Sequence, residues 1–589
     1  MTEPLPPDPL PGLARPGAGT ADPAVSYDVA VLGSHLAGAV LAAAVARQGY
    51  RVLLLDAVEG EDHGPWGETT VPYTAEVFLL IADRFELPEF AAFGAFADLP
   101  PEIRRASGVK RSLAFFYHRA GLPQHPEEVV QFNVPGEHSE WHLYRPAVDE
   151  YARSLALRYG AEVPAGRPRV SQAEETADHM TLVMSDGSLY TCRYLADAAG
   201  IHSPLTGLTR PVTGPADGPD VQSRVLHAHL GGVSRYADGH AGGTHRRATS
   251  WSDGTVHHIF DGGWIQVADF ANHAEGANRR ASVTVSLDPR RHADLPADPE
   301  AAFRTLVARY PGIARQFEEA VTLTPWSGGH SWRHRAALTH GDRWVAFGRS
   351  AARTDDMLSS DVTAVMEVTH ALAAALLNTL AGGSAAREFG RVASFQADLI
   401  RYNDRWRSAA RAACVSFQLW NAFSRVWLLW QILADLSLKR ARNDAAAHGG
   451  WAPVEQFELG GLWFRVPAGL RGFLEEFFTL MDAAGSGRQP PDEVADQIFR
   501  RLRQARFVPP LYRFGDPAAR YYNFTFGRRL LMLAWIKTVA PADFRRLLTR
   551  DNVTARRESP IPAVRTTVRR DATSPPQAGE TTDAIRGET

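Results

Sequence analysis

Three residues near the N-terminus have the types and spacing to hold a phosphate and a ribose. In DVAVLGSHLAGAVLAAAVARQGYRVLLLDA, residues 28–57, Gly33 and Gly38 frame a turn and Asp56 follows 23 residues after Gly33. The first glycine permits a tight turn, the last lets a helix pack on a strand, and the helix N-terminus offers free N–H groups to an anion. A carboxylate ending the second strand accepts from a ribose hydroxyl. The middle glycine of G-x-G-x-x-G, which lets backbone approach a pyrophosphate, is His35 here. Either the imidazole points away and the cleft stays open, or the site is partly closed. A strand–helix–strand unit with no nucleotide is the plain alternative.

Other chemistry-bearing residues are harder to group. His118, His125, His138, His142, His257, His258, His330 and His334 form no H-E-x-x-H or other metal-ligand spacing. His257 and His258 are adjacent on a strand and point to opposite faces. No metal is expected. There is no G-x-S-x-G elbow and no P-loop. Nearly every cation is arginine, and the only lysines are Lys110, Lys439 and Lys537. An ammonium is a compact donor with a tunable pKa, which a guanidinium is not. Cys192 and Cys414 are the only cysteines. They form neither a disulfide framework nor a redox pair, and a reducing cytoplasm is the expected compartment.

The elements that must position these residues follow from periodicity. Residues 26–384 alternate strand-like and helix-like runs, with Asp186-Gly187 as a hairpin turn. Residues 385–551 turn helical; Phe417, Trp420, Trp427 and Trp430 fall on one face and read as a packing stripe. The Pro/Gly-rich residues 1–25 and the Pro/Thr/Arg-rich residues 552–589 cannot bury enough apolar surface and are expected to be disordered tails. The net charge of −3 gives no electrostatic case for nucleic acid or an anionic membrane. No uncharged apolar run approaches the length of a spanning helix, so no stable membrane insertion is expected.

Downstream of the glycine turn, several segments occur in a telling order. They are WGETTVP (66–72), SGVKRSLAFFYHRAG (107–121), LYRPAVDEYARSLALRYGAEV (143–163) and YLADAAGIHSPL (194–205). Together they resemble the flavin-dependent halogenases, a branch of the FAD-dependent monooxygenases, over roughly residues 26–380. FQLWNAFSRVWLLW (417–430) resembles the helical extension of members that act on phenolic or carrier-bound substrates. The resemblance implies an α/β fold: an FAD/NAD(P)-binding Rossmann-like domain of aromatic-hydroxylase type, a β-sheet substrate layer and a helical C-terminal extension. It implies FAD as cofactor, with Gly33, Gly38 and Asp56 at the dinucleotide. Glu68, Thr69 and Pro72 would form the strap beside the flavin. Arg145 would reach the cofactor, and Asp197, Gly200 and Ser203 match the second FAD signature. Gly348, Asp355 and Ser359 match the last flavin-binding segment. Lys110 stands at the catalytic lysine, which receives hypohalous acid and hands it to the substrate.

Three departures bear on activity. In GGWIQVADF (262–270) Trp264 is kept, but Gln266, Ala268 and Asp269 replace the rest of the family's W-x-W-x-I-P box. Gly348 is followed by Arg349 where the family has an aspartate for the ribityl chain. In DDMLSSD (355–361) Asp361 replaces a glycine whose backbone helps hold halide. A bare carboxylate there would repel an anion at ~4 Å by about 4 kcal/mol; protonation or a pair with Arg349 would relieve it. Leu358 occupies the position of the glutamate used by tryptophan-type members. The expectation is an FAD-dependent oxidoreductase of specialised metabolism, acting on a small aromatic or carrier-protein-bound substrate with a separate flavin reductase. The departures favour oxygenation over halogenation. The competing expectation is a catalytically degenerate halogenase fold that serves as a binding or partner protein.

Overall fold

The computed structural model describes residues 27–56, 67–133, 140–200, 203–205, 223–236, 249–329, 334–353, 358, 360–459, 468–522 and 526–548. Asp355 and Ser359 lie outside the described residues, as do both expected tails.

The sequence VAVL of the first strand is apolar throughout because the strand is covered on both faces, as a parallel strand must be. Tyr27–Leu32 pairs in parallel with Val52–Leu55 on one side and with Leu189–Asp197 on the other. The outer half of Leu189–Asp197 forms a hairpin with Met180–Met184 through the Asp186-Gly187 turn, where Gly187 has φ +82°. Its inner half pairs in parallel with Trp344–Ala346. Four parallel strands therefore end side by side, at Leu55, Leu32, Asp197 and Ala346. Ligands of open α/β sheets bind at that carboxyl edge.

A second sheet of nine strands stands beside the first, ordered Val321–Thr322, Arg224–Gly231, Ala281–Leu287, Gly263–Asp269, Thr255–Phe260, Ser112–His118, Val129–Asn133 and Tyr521–Tyr522, with Ser327–Gly329 also on Arg224–Gly231. A short antiparallel ladder joins Gly108–Val109 to Trp141–His142. The long helices Ala385–Ala413 and Phe417–His448 pack on Ser360–Leu380 and Pro72–Phe85. One apolar core runs from Val29 to Phe544 and takes in Phe417, Trp420, Trp427 and Trp430. The aromatic stripe is thus a packing face. Asp361–Leu380 is long and apolar enough to cross a membrane, yet 78% of its most apolar window is buried inside the fold.

Candidate functional site

A cavity of about 500 Å³ opens at the carboxyl edge of the parallel strands. Gly33, Gly38, Gly200 and Gly348 all line it, as do Arg145 and Arg349. Space requires glycine at two of them, Gly33 and Gly38. A Cβ on Gly38 would lie 1.8 Å from the Gly33 carbonyl oxygen, and one on Gly33, at φ +101°, would lie 2.7 Å from the Ala198 oxygen. Helix and loop backbone meet too closely for any side chain.

His35 caps the first helix, Leu36–Arg47, and its side chain is 55% exposed. The ring is turned outward, with Nδ1 3.4 Å from Asp149 Oδ2. The Leu36 N–H donates to Asp149 Oδ1 at 3.0 Å, a carboxylate satisfying a helix N-terminus. Arg145 grips the same carboxylate at 3.0 Å. Burial pushes Asp149 up, but Arg145 and His35 outweigh it and hold the carboxyl below its ordinary value. Asp56 sits behind the turn. It accepts from Ser34 Oγ at 2.5 Å and, bidentately, from Arg167 at 2.6 and 2.8 Å. Burial would raise it; Arg167 and Ser34 bring it below its ordinary value.

At the far end of the cavity Arg349 Nη2 donates to Asp361 Oδ2 at 3.1 Å. The two charges that looked misplaced in sequence are each other's partners. Glu68 lies beside them, fully buried, within a histidine pair: His229 Nε2 is 2.8 Å and His227 Nε2 3.5 Å from Glu68 Oε2. Burial pushes Glu68 up, but the hydrogen bonds from His227 and His229 outweigh it and hold the carboxyl at about 2. Oε1 accepts the Arg145 N–H at 3.2 Å. These donor atoms lie within 4.8 Å of one another, a spacing open to a metal ion, but the carboxylate–imidazole bonds account for the arrangement. His229 lines the cavity.

Asp197 does not reach the cavity. It accepts from the Ala199 N–H at 2.8 Å, Ser203 Oγ at 2.5 Å and Ser350 Oγ at 3.0 Å, and Ser350 in turn accepts the Gly200 N–H. It shapes the wall rather than forming it, and burial pushes its carboxyl up to about 6 despite these bonds. Thr69 is buried and bridges His142, while Pro72 starts the helix Pro72–Phe85; both fix the strap from behind. Lys110 also lies outside the cavity lining. It is 0% exposed, donates from Nζ to the Thr70 carbonyl, and pairs with Glu140.

Comparison with known proteins places this arrangement. No protein-family model matches the chain. The tetracycline 7-halogenase of Kitasatospora aureofaciens is 29% identical over 532 residues, covering 89% of this chain and 95% of that protein. Monodechloroaminopyrrolnitrin halogenase PrnC of Pseudomonas fluorescens is 28% identical over 540 residues, 88% and 93% of the two chains. The crystal structure of halogenase PltM in complex with phloroglucinol and FAD superposes with a TM-score of 0.78 at 25% identity, covering 84% of this chain and 99% of that one. Over most of its length the chain is similar to flavin-dependent halogenases.

Against the halogenase pattern this chain carries local substitutions that the structure explains by their contacts. Gln266 lies in the position of the second tryptophan of the box, with Oε1 3.2 Å from His257 Nε2, while Phe115 stacks on the His257 ring. Asp269 acts through its backbone, its carbonyl oxygen accepting from His142 Nδ1 at 2.8 Å. Arg349 and Asp361 compensate each other. Sequence reasoning missed Asp149, Arg167, His227, His229 and Glu140. Only His227-x-His229 carried a signal, since alternate residues of a strand share a face.

Proposed function

We propose that this halogenase-family enzyme binds FAD in the cavity at the strand ends and installs halogen on a small aromatic substrate, with a separate reductase supplying reduced flavin. The residues fit the cofactor. Backbone at Gly33 and Gly38 is bare for a pyrophosphate, and the outward turn of His35 keeps its ring out of that turn. Arg145, Arg153 and Arg167, the last held by Asp56 from behind the turn, supply positive charge to the lining, and Gly348 lines the same cavity. Reduced FAD with O2 supplies the oxidising power that turns halide into an electrophilic halogen. Lys110 would receive that species through Nζ, on the far side of the Gly67–Thr70 strap.

The single observation that carries the choice of halogenation is the Arg349–Asp361 pair. The sequence favoured oxygenation because the halide-site and tryptophan-box residues are missing; at the halide site, the pair with Arg349 offsets the Asp361 charge locally. The names of the two curated relatives, both halogenases, support the same reading. The test is direct. Purified protein should bind FAD and, with a flavin reductase, O2 and chloride or bromide, add halogen to a phenol such as phloroglucinol, read by mass spectrometry. Lys110→Ala should abolish product while flavin binding persists. Product carrying oxygen and no halogen would restore the oxygenase reading. Absence of FAD binding would restore the degenerate one.

A further inference from the structure

Of the three lysines, Lys110 alone is fully buried. A carboxylate oxygen, Glu140 Oε2, lies 3.3 Å from its Nζ, and Glu140 is itself 1% exposed. Strand register puts them together. Gly108 pairs with His142 and Val109 with Trp141, and the Lys110 N–H donates to the Glu140 carbonyl at 3.2 Å. Residues directly opposite in an antiparallel pair send their side chains to the same face. The ladder that presents Lys110 therefore delivers Glu140 with it.

Glu140 is weakly held as an anion. Among the described residues its Oε2 has no hydrogen-bond partner, only the ion-pair contact with Lys110. A buried carboxylate oxygen with one cation and no further donor drifts toward its protonated form. Burial pushes Glu140 up to about 7, against the pull of Lys110. The titratable groups whose fields reach the pair are His142 and His257, with Glu68 beyond His142. Burial holds both imidazoles down at about 3, with the charge of Lys110 adding to the effect. They stay neutral near pH 7 and do not compete for the proton, while Glu68 stays ionised.

We infer that Glu140 is the positioning residue of Lys110 and stores its proton. One proton passes from Lys110 Nζ to Glu140 Oε2, turning ammonium and carboxylate into free amine and carboxylic acid, and it returns by the same path. The internal transfer leaves the net charge of the buried pair unchanged; only exchange of a proton with solvent alters it. The ammonium form donates hydrogen bonds, and only the amine form has a lone pair to offer an electrophile. The inference rests on the reading of Lys110 given above, and its test separates the two.

Three lysines make the pair observable directly. Protein labelled with ¹³Cε-lysine should give three resonances, with Lys110 assigned by loss in Lys110→Met. In the wild type the Lys110 resonance should show an inflection near pH 7, where Glu140 titrates, while Lys439 and Lys537 serve as references. Glu140→Gln should remove that inflection. No inflection in the wild type, or one that survives in Glu140→Gln, overturns the inference, and the wild-type measurement stands whether or not the variant folds. In turnover, Glu140→Gln should lower kcat roughly hundredfold, leave KM and FAD affinity unchanged and alter the pH profile, with Glu140→Asp restoring part of the rate. If Lys110→Ala is inactive while Glu140→Gln keeps the wild-type rate and profile, the inference fails and the halogenase reading stands. If the wild type binds no FAD, the halogenase reading fails and the resonance titration still decides the pair.

Discussion

Breaking the Arg349–Asp361 pair should cost unequal amounts from its two sides. The atoms are 3.1 Å apart, and the side chains are 29% and 8% exposed. At an effective dielectric near 20, that separation corresponds to about 5 kcal/mol of attraction. The exposed side of Arg349 admits screening water, so the measurable coupling should lie between the ~1 kcal/mol of surface pairs and the 3–5 kcal/mol of buried ones, at about 2 kcal/mol. Arg349→Ala leaves the more buried carboxylate in a low-dielectric wall, with Arg145 as the next cation whose field it feels. Asp361→Asn leaves a guanidinium that water can reach. The first variant should therefore lose about 2–3 kcal/mol of stability and the second about 1 kcal/mol. The double variant should lose less than the sum. The measurement is a double-mutant cycle on denaturant unfolding of the cofactor-free protein, repeated on FAD affinity, where 2 kcal/mol is about a 30-fold change in Kd. Additivity within about 0.5 kcal/mol would refute the claim that the two charges compensate each other.

Gly38→Ala should abolish FAD retention, because its Cβ would lie 1.8 Å from the Gly33 carbonyl oxygen and must force the turn apart; co-purified flavin measured by absorbance checks this. His35→Ala should change FAD affinity less than about fivefold, since the ring is exposed and its contact with Asp149 is a surface-type pair; complete loss of binding would mean the imidazole belongs to the site. Glu68→Gln should show its effect only above the acid range. The folded carboxyl, at about 2, lies below its ordinary 4.5. Its contribution of ~3 kcal/mol is thus present above pH 4.5 and disappears as pH falls toward 2. Unfolding of wild type and variant across pH 3 to 8 should converge at the acid end.

The close turn at Gly33 and Gly38, with Asp56 behind it, was legible in the sequence because a strand–helix–strand unit is local: its own elements fix every distance in it. The helical character of residues 385–551 was legible for the same reason, and the stripe from Phe417 to Trp430 announced its own burial. The partners of those residues were not. Asp149 reaches the N-terminus of the first helix from a helix more than a hundred residues away, and Arg167 reaches Asp56 from a loop. Lys110 meets Glu140 through a ladder two residues long, too short to leave a periodic mark.

The sequence by itself determined the backbone cradle, the acid behind it and the arginine-rich chain with one lysine in a telling context. Only the tertiary structure decided what those charges do. A periodic pattern reports which face is apolar, whereas the energy of a charge depends on what the closed sheet brings within a few ångströms of it. Two residues that look like damage when read singly, Arg349 and Asp361, become a neutral unit once the last parallel strand and the helix after it share a wall.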